Sequence, residues 1–215
     1  MSFLGREDLR RELKTIIPLH NKNNIDSNKY ELSLGHSYSA SDSKHEVLKA
    51  KNGQIIINPG QFCFLETQEN IKMPNNLMAF ISIKAGIKFK GLVNISGFHV
   101  DPHFEGKIVF SVLNAGPSPI NLTVGKPLFQ IWFAELKSIS EGYNGKHQKQ
   151  SGVTGDLINK HMTGSDNASP AQLQKQINEL DKKYDKLLAY AMVVGAILTI
   201  FTGLIIKIIP VVSVT

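Results

Sequence analysis

The rhythm of apolar and polar positions changes three times along the chain. Ser2 and then Arg6 to Ile17 read as a short amphipathic helix, because Leu4, Leu9, Leu13 and Ile16 fall on one helical face. After Pro18 the period drops to two, in short apolar runs: Gln54–Ile57, Gln61–Glu66, Leu77–Ile83, Lys107–Asn114 and Pro127–Leu136. Turn signals separate these runs, among them Asn52-Gly53, Asn58-Pro59-Gly60, Pro74-Asn75-Asn76, Ala115-Gly116-Pro117 and Gly125-Lys126. Many short strands at this spacing predict a barrel or sandwich rather than alternating βαβ units. Near the end the period becomes 3.5. Leu173, Ile177, Leu180, Tyr184, Leu187 and Ala191 form a heptad seam, with polar Gln174, Lys175, Asn178, Glu179, Asp181 and Lys182 outside it.

The seam runs into Leu187–Ile206, twenty residues without a charge. At 1.5 Å per residue this reaches roughly 30 Å, the thickness of a bilayer's hydrocarbon layer. Lys207 and then Pro210 follow it, and Lys182, Lys183 and Lys186 precede it. The lysines on the N-terminal side predict that this end faces the cytoplasm. Ala191, Gly195, Thr199 and Gly203 lie on one ridge that lets helix backbones approach closely, so self-association is expected. Thr163–Pro170 reads as a polar linker, with Ser169 as helix cap and Pro170 at the first helical position.

Net charge is +6, carried mostly by scattered lysines, with no arginine-rich block of the kind that tracks a nucleic-acid backbone. Anionic small ligands suit this balance and nucleic acid does not. The single cysteine, Cys63, lies in the apolar run Phe62–Leu65 and reads as a buried thiol. The N-terminus has no basic region followed by an apolar core, so the soluble part is expected in the cytoplasm. No P-loop, dinucleotide fingerprint, metal-spaced Cys/His set or Gly-x-Ser-x-Gly elbow occurs. His99 and His103 flank Asp101, but that spacing alone makes no metal site.

Five phrases, in order, resemble the dCTP deaminase and dUTPase superfamily. They are KYELSLG (29–35), INPGQFCFLETQENIKMP (57–74), SGFHVDPHFEGKI (96–108), VLNAGPSPINLTVGKPLFQIWFAEL (112–136) and YNGKHQKQSG (143–152). The resemblance covers roughly residues 1–160. It implies a mainly β fold, a distorted barrel or jelly roll of dUTPase type with a short N-terminal helix. To this the chain adds a coiled coil and a transmembrane helix. The domains expected are a β domain over 1–160, a linker over 161–170, a coiled coil over 171–186, a membrane helix over 187–209 and a tail over 210–215.

The resemblance also implies a site. Gly97, His99 and Asp101 fall on the hairpin that cradles base and sugar, and in dUTPases the aspartate activates water. Tyr143, Lys146 and Gln150 fall on the arm that closes over a triphosphate, with Mg²⁺ accompanying that triphosphate. Two departures stand out. The deaminase glutamate, three places before the asparagine of Asn-x-Gly, is Ser111 here, and a hydroxyl cannot serve as acid and base near neutral pH. The family's Arg-Ser-Ser-Leu-Ala-Arg phosphate segment is replaced by Lys84-Ala85-Gly86-Ile87-Lys88-Phe89, so two hydroxyls and a forked guanidinium are gone, while Lys84 and Lys88 remain as nucleotide-binding candidates that can neutralise phosphate. The loop from Gly91 to Asp101 is also one residue short.

Three functions stay open on these grounds. The first is a pyrimidine-nucleotide sensor, homotrimeric by the resemblance, that binds without deaminating and acts on a membrane helix, in a defence setting for example. The second is a membrane-anchored dCTP deaminase or dUTP/dCTP hydrolase, with Asp101 orienting water or Glu105 as a substitute acid. The third is a trimeric membrane scaffold. The localisation expected in each is a single-pass membrane protein with its N-terminal domain in the cytoplasm.

Overall fold

The computed structural model describes residues 2–43, 46–162 and 170–208. Two compact units divide the chain, Met1–Ala171 and Gln172–Thr215.

The first unit opens with β1 (Ser2–Phe3) and α1 (Arg6–Ile16). Strands β2 (Ile25–Asp26), β3 (Lys29–Ala40), β4 (Leu48–Lys49), β5 (Gln54–Ile57), β6 (Phe62–Lys72) and β7 (Leu77–Ile83) follow. A single helical turn, α2 (Ala85–Lys88), leads to β8 (Leu92–Asn94), β9 (His99–Val100), β10 (Glu105–Asn114), β11 (Ile120–Thr123) and β12 (Pro127–Glu135). The unit closes on α3 (Gly155–His161).

The expected helix forms, with Leu9, Leu13 and Ile16 buried on its apolar face. Ser2 is not part of it. It pairs with Glu135 in β12, where backbone pairing outweighs any role ahead of the helix. The strands of the main sheet pair antiparallel, in the order β8-β10-β6-β3-β12-β7-β9. Its two edge strands, β8 and β9, are consecutive in sequence and joined by only four residues, 95–98. The sheet therefore curls into a distorted half-barrel of the dUTPase kind, as expected. A β5–β11 ribbon stands beside it.

The core holds Tyr30, Phe110, Phe129 and Phe133, all fully buried, with the Phe110 and Phe129 rings stacked at 3.6 Å. Cys63 lies in the same core, and burial pushes its thiol pKa up, so it is held as an unreactive thiol. Strand β6 is buried on both faces. Cys63 and Leu65 point into the barrel, while Phe64 packs with Val153, Ile158 and Met162 in a second, smaller cluster. That second cluster seats α3 on the outside of the sheet.

The Asn114-Ala115-Gly116 turn shows why its motif needs those residues. Asn114 Nδ2 donates to the carbonyls of Ile57 and Ser118, both at 2.9 Å, and its Oδ1 accepts the Gly116 N–H at 2.9 Å. A Cβ on Gly116 would lie 2.2 Å from the Lys90 carbonyl oxygen, so only glycine fits.

Helix α4 (Pro170–Ile208), whose first residue is the expected proline, makes up the second unit from Gln172 onward. Its 39 residues span roughly 58 Å. Within it, Gln172–Ile206 is long and apolar enough to cross a membrane. Thr199 and Thr202 donate their hydroxyls to carbonyls one turn back, so neither leaves a polar group unsatisfied in an apolar medium. Ser169 and Pro210 lie outside the described residues.

Candidate functional site

A cavity of about 570 Å³ opens on the outer face of β6 and β10. Its size suits a nucleotide-sized ligand. Three parts of the chain build it. The segment 95–101 forms one wall, β6 and β10 form the floor, and the arm from Tyr143 to Gln150 with α3 closes the third side.

The hairpin wall is fixed by backbone pairing. His99 and Val100 pair with Phe80 and Ala79 of β7, which fixes where Asp101 emerges. The Phe104 N–H then returns to the Asp101 carbonyl at 3.3 Å and the His103 N–H reaches the Met73 carbonyl at 3.1 Å, closing a tight turn. Asp101 is half exposed, and its Oδ1 lies 3.5 Å from His99 Nε2. It is the one carboxylate among the residues that line the cavity.

The floor is apolar apart from Ser111. Phe62 and Phe64 meet edge to face at 5.2 Å, beside Ile108 and Val109. Ser111 sits opposite Phe64 in the β6–β10 ladder and lines the cavity while only 8 % exposed. Its N–H donates to Ser96 Oγ at 3.0 Å, and its carbonyl accepts the Ile95 N–H at 2.8 Å. Strand β10 is thus tied to the hairpin wall at Ser111.

The arm is docked by its backbone. The Tyr143 N–H donates to the Pro102 carbonyl at 2.8 Å, the Lys149 N–H to the Glu105 carbonyl at 2.7 Å, and the Lys107 N–H to the Gln150 carbonyl at 2.8 Å. Gln150 Nε2 returns a bond to the Lys107 carbonyl at 3.1 Å. Beyond it, Glu66 is 3 % exposed and accepts from three donors. These are Ser37 N–H at 3.2 Å, Val153 N–H at 2.9 Å and Lys107 Nζ at 3.1 Å.

Of the residues singled out in the sequence, Gly97, His99, Asp101, Ser111, Tyr143 and Gln150 converge on this cavity. Lys146 lies beside it, on a neighbouring cleft. Lys84 and Lys88 do not line it. Lys84 Nζ is held by Glu31 Oε2 at 2.6 Å, and Lys88 Nζ donates to Ser82 Oγ at 2.6 Å. His103 adopts φ +68° in the turn and does not line the cavity. Glu105 does not line the cavity either, although its neighbour Phe104 does. Ser96, His147, Leu157 and His161 line the site without having been singled out. Of these, Ser96 and His147 lie inside the family-like phrases, at 96–108 and 143–152, whereas Leu157 and His161 follow the last of them. No group of three His, Cys, Asp or Glu able to hold a metal occurs among the described residues.

The comparisons agree with this architecture. The model of the dCTP deaminase-like family matches residues 3–136, and the chain belongs to that family. It is 25% identical over 185 residues to a "dCTP deaminase, dUMP-forming" of Methanosphaera stadtmanae, covering 74% of this chain and 94% of the relative. It is 31% identical over 142 residues to a "Probable deoxyuridine 5'-triphosphate nucleotidohydrolase" of Sulfolobus islandicus rod-shaped virus 1, covering 66% of this chain and 87% of the relative. Among solved structures, the 2'-deoxycytidine 5'-triphosphate deaminase of Agrobacterium tumefaciens shares the fold. That match has a TM-score of 0.53 at 15% identity, over 65% of this chain and 50% of that one.

Proposed function

We propose that the chain is a membrane-tethered hydrolase of pyrimidine deoxynucleoside triphosphates, which converts dUTP to dUMP and pyrophosphate and does not deaminate. One observation carries the reading: the cavity presents a single carboxylate, Asp101, and a serine at position 111. Hydrolysis needs one base to orient and deprotonate water, and a half-exposed carboxylate can do that. Water adds at a phosphorus of the triphosphate, the bond to the departing pyrophosphate breaks, and Asp101 takes the proton. Deamination needs a second acid–base carboxylate beside the base to carry a proton to the leaving amine, and Ser111 supplies none. The names of the two relatives, one dUMP-forming and one a nucleotidohydrolase, support a nucleotide-processing role.

Mg²⁺ enters this scheme as part of the nucleotide. The described residues offer it no ligand cluster, and Mg²⁺ is commonly held by phosphates, water and one or two carboxylates. The proposed assembly is a homotrimer. Three copies would bring three heptad seams and three small-residue ridges together. The proposed topology is a β domain over 1–160 in the cytoplasm, a linker over 161–170, a coiled coil over 171–186, one membrane crossing over 187–209 and a tail over 210–215. The lysines at 182, 183 and 186 support this orientation.

The test is product analysis. Full-length protein in detergent is given dUTP or dCTP with Mg²⁺, and pyrophosphate and ammonia are measured together. Pyrophosphate from dUTP without ammonia from dCTP is the expected result. Nucleotide-dependent stabilisation with neither product would favour the sensor instead.

A further inference from the structure

The register of β6 and β10 decides which side chains face the cavity. Phe62 pairs with Leu113 and Phe64 with Ser111, and paired residues of an antiparallel ladder project to the same side. Cys63, Leu65, Phe110 and Val112 take the other side and fill the core. The cavity floor therefore carries two phenylalanines beside Ser111.

The two rings are not equivalent. Phe64 is buried and packs with Val153, Ile158 and Met162, the cluster that seats α3. Phe62 is only partly buried, rests against that cluster and lines the cavity. The rings meet at 84° with centroids 5.2 Å apart, an edge-to-face geometry that ring quadrupoles favour. The packed ring thus fixes the tilt of the open one. Polar side chains are concentrated on the hairpin wall instead, at Ser96, His99 and Asp101.

We infer that Phe62 is the platform on which the nucleobase stacks, held at its angle by Phe64 and, through Phe64, by α3. The inference rests on reading the cavity as the nucleotide site. A pyrimidine carries its donors and acceptors on its edge and presents a π-face above and below. The aromatic floor takes that face, and the edge is left to the polar hairpin wall. A ring face does not read donors and acceptors, so Phe62 contributes affinity for any pyrimidine and does not choose between uracil and cytosine. Loss of such a stacking ring weakens binding roughly 5- to 150-fold.

The test is calorimetry on full-length protein in detergent. The probes are the α,β-imido analogues of dUTP and dCTP and the base-free 2-deoxyribose 5-triphosphate. Phe62→Leu keeps an apolar side chain on the strand and removes the ring, whereas Phe62→Tyr keeps the ring. The leucine variant is expected to bind both analogues about tenfold more weakly, and to bind the base-free probe within about twofold of wild type. The tyrosine variant is expected to recover the affinity. Retained binding of the base-free probe also reports that the leucine variant is folded. An equal loss for the base-free probe would make Phe62 a structural residue, and no loss for either analogue would place the base elsewhere; each overturns the inference. A base-dependent loss in a protein that releases no pyrophosphate from dUTP would retire the hydrolase and leave the platform standing. Unaltered analogue affinity of the leucine variant, with wild type hydrolysing dUTP, would do the reverse.

Discussion

The backbone N–H of Val153 donates to Glu66 Oε2 at 2.9 Å, inside the protein and 87 positions away in sequence. The bond fastens the end of the arm to the sheet, and the same carboxylate holds Lys107 Nζ on β10. Removing it strands a largely buried ammonium and releases the chain at Val153, just past the arm. Glu66→Ala is expected to lower stability by roughly 2–3 kcal/mol, less than a fully buried pair because Lys107 is partly exposed. Hydrogen exchange is the direct check: the Val153 amide should lose its protection in the variant. Wild-type protection would mean that the arm is held by other bonds.

Gly152 makes the same point by sterics. It adopts φ +123°, and a Cβ there would meet Glu66 Oε2 at 2.0 Å. Gly152→Ala is therefore expected to cost more than about 1 kcal/mol and to undock the arm, raising KM for nucleotide. Thermal melting and steady-state kinetics together check this.

Stability should also respond to pH through Glu69. Burial raises its pKa above 4.5, although the Ser33 N–H and Tyr30 hydroxyl donate to its carboxylate. The folded state then holds the proton more tightly than the unfolded state does. This group's contribution is present below pH 4.5 and is lost as pH rises through the raised value. Relative to Glu69→Gln, the wild type should be most stable in acid and lose ground from pH 4.5 upward. Denaturant melts of both proteins between pH 4 and pH 7 read that difference, and a pH-independent gap would contradict it.

The ridge Ala191, Gly195, Thr199 and Gly203 should matter for assembly. Leucine at Gly195 and Gly203 together is expected to shift the detergent-solubilised protein towards smaller oligomers, measured by light scattering. An unchanged mass would remove α4 from the assembly contacts.

Much of the fold was legible because its signals are local. Turn residues bracketed the strands, the 3.6 period marked α1, and the uncharged run marked the apolar part of α4. The hairpin with Asp101 and the Ser111 position were legible because their phrases keep their order. The seating of α3 was not. The run Phe62–Leu65 shows no alternation, since α3 covers the outer face of β6 while the barrel covers the inner one. Glu66 then looks like a strand-end charge rather than the anchor of a segment far along the chain. The engagement of Lys84 by Glu31 is equally silent, because the two residues meet only after β3 and β7 each pair with β12. His161 carried no signal, as it follows the last recognisable phrase.

The most direct measurement of the central claim is dUTP turnover by Asp101→Asn, set beside its affinity for a non-hydrolysable dUTP analogue. The substitution keeps the shape and removes the base. Turnover should fall at least 100-fold, a loss in the range that one general base supplies, with affinity within about threefold of wild type. Hydrolysis at the wild-type rate would show that Asp101 is not the base and that the cavity performs some other chemistry.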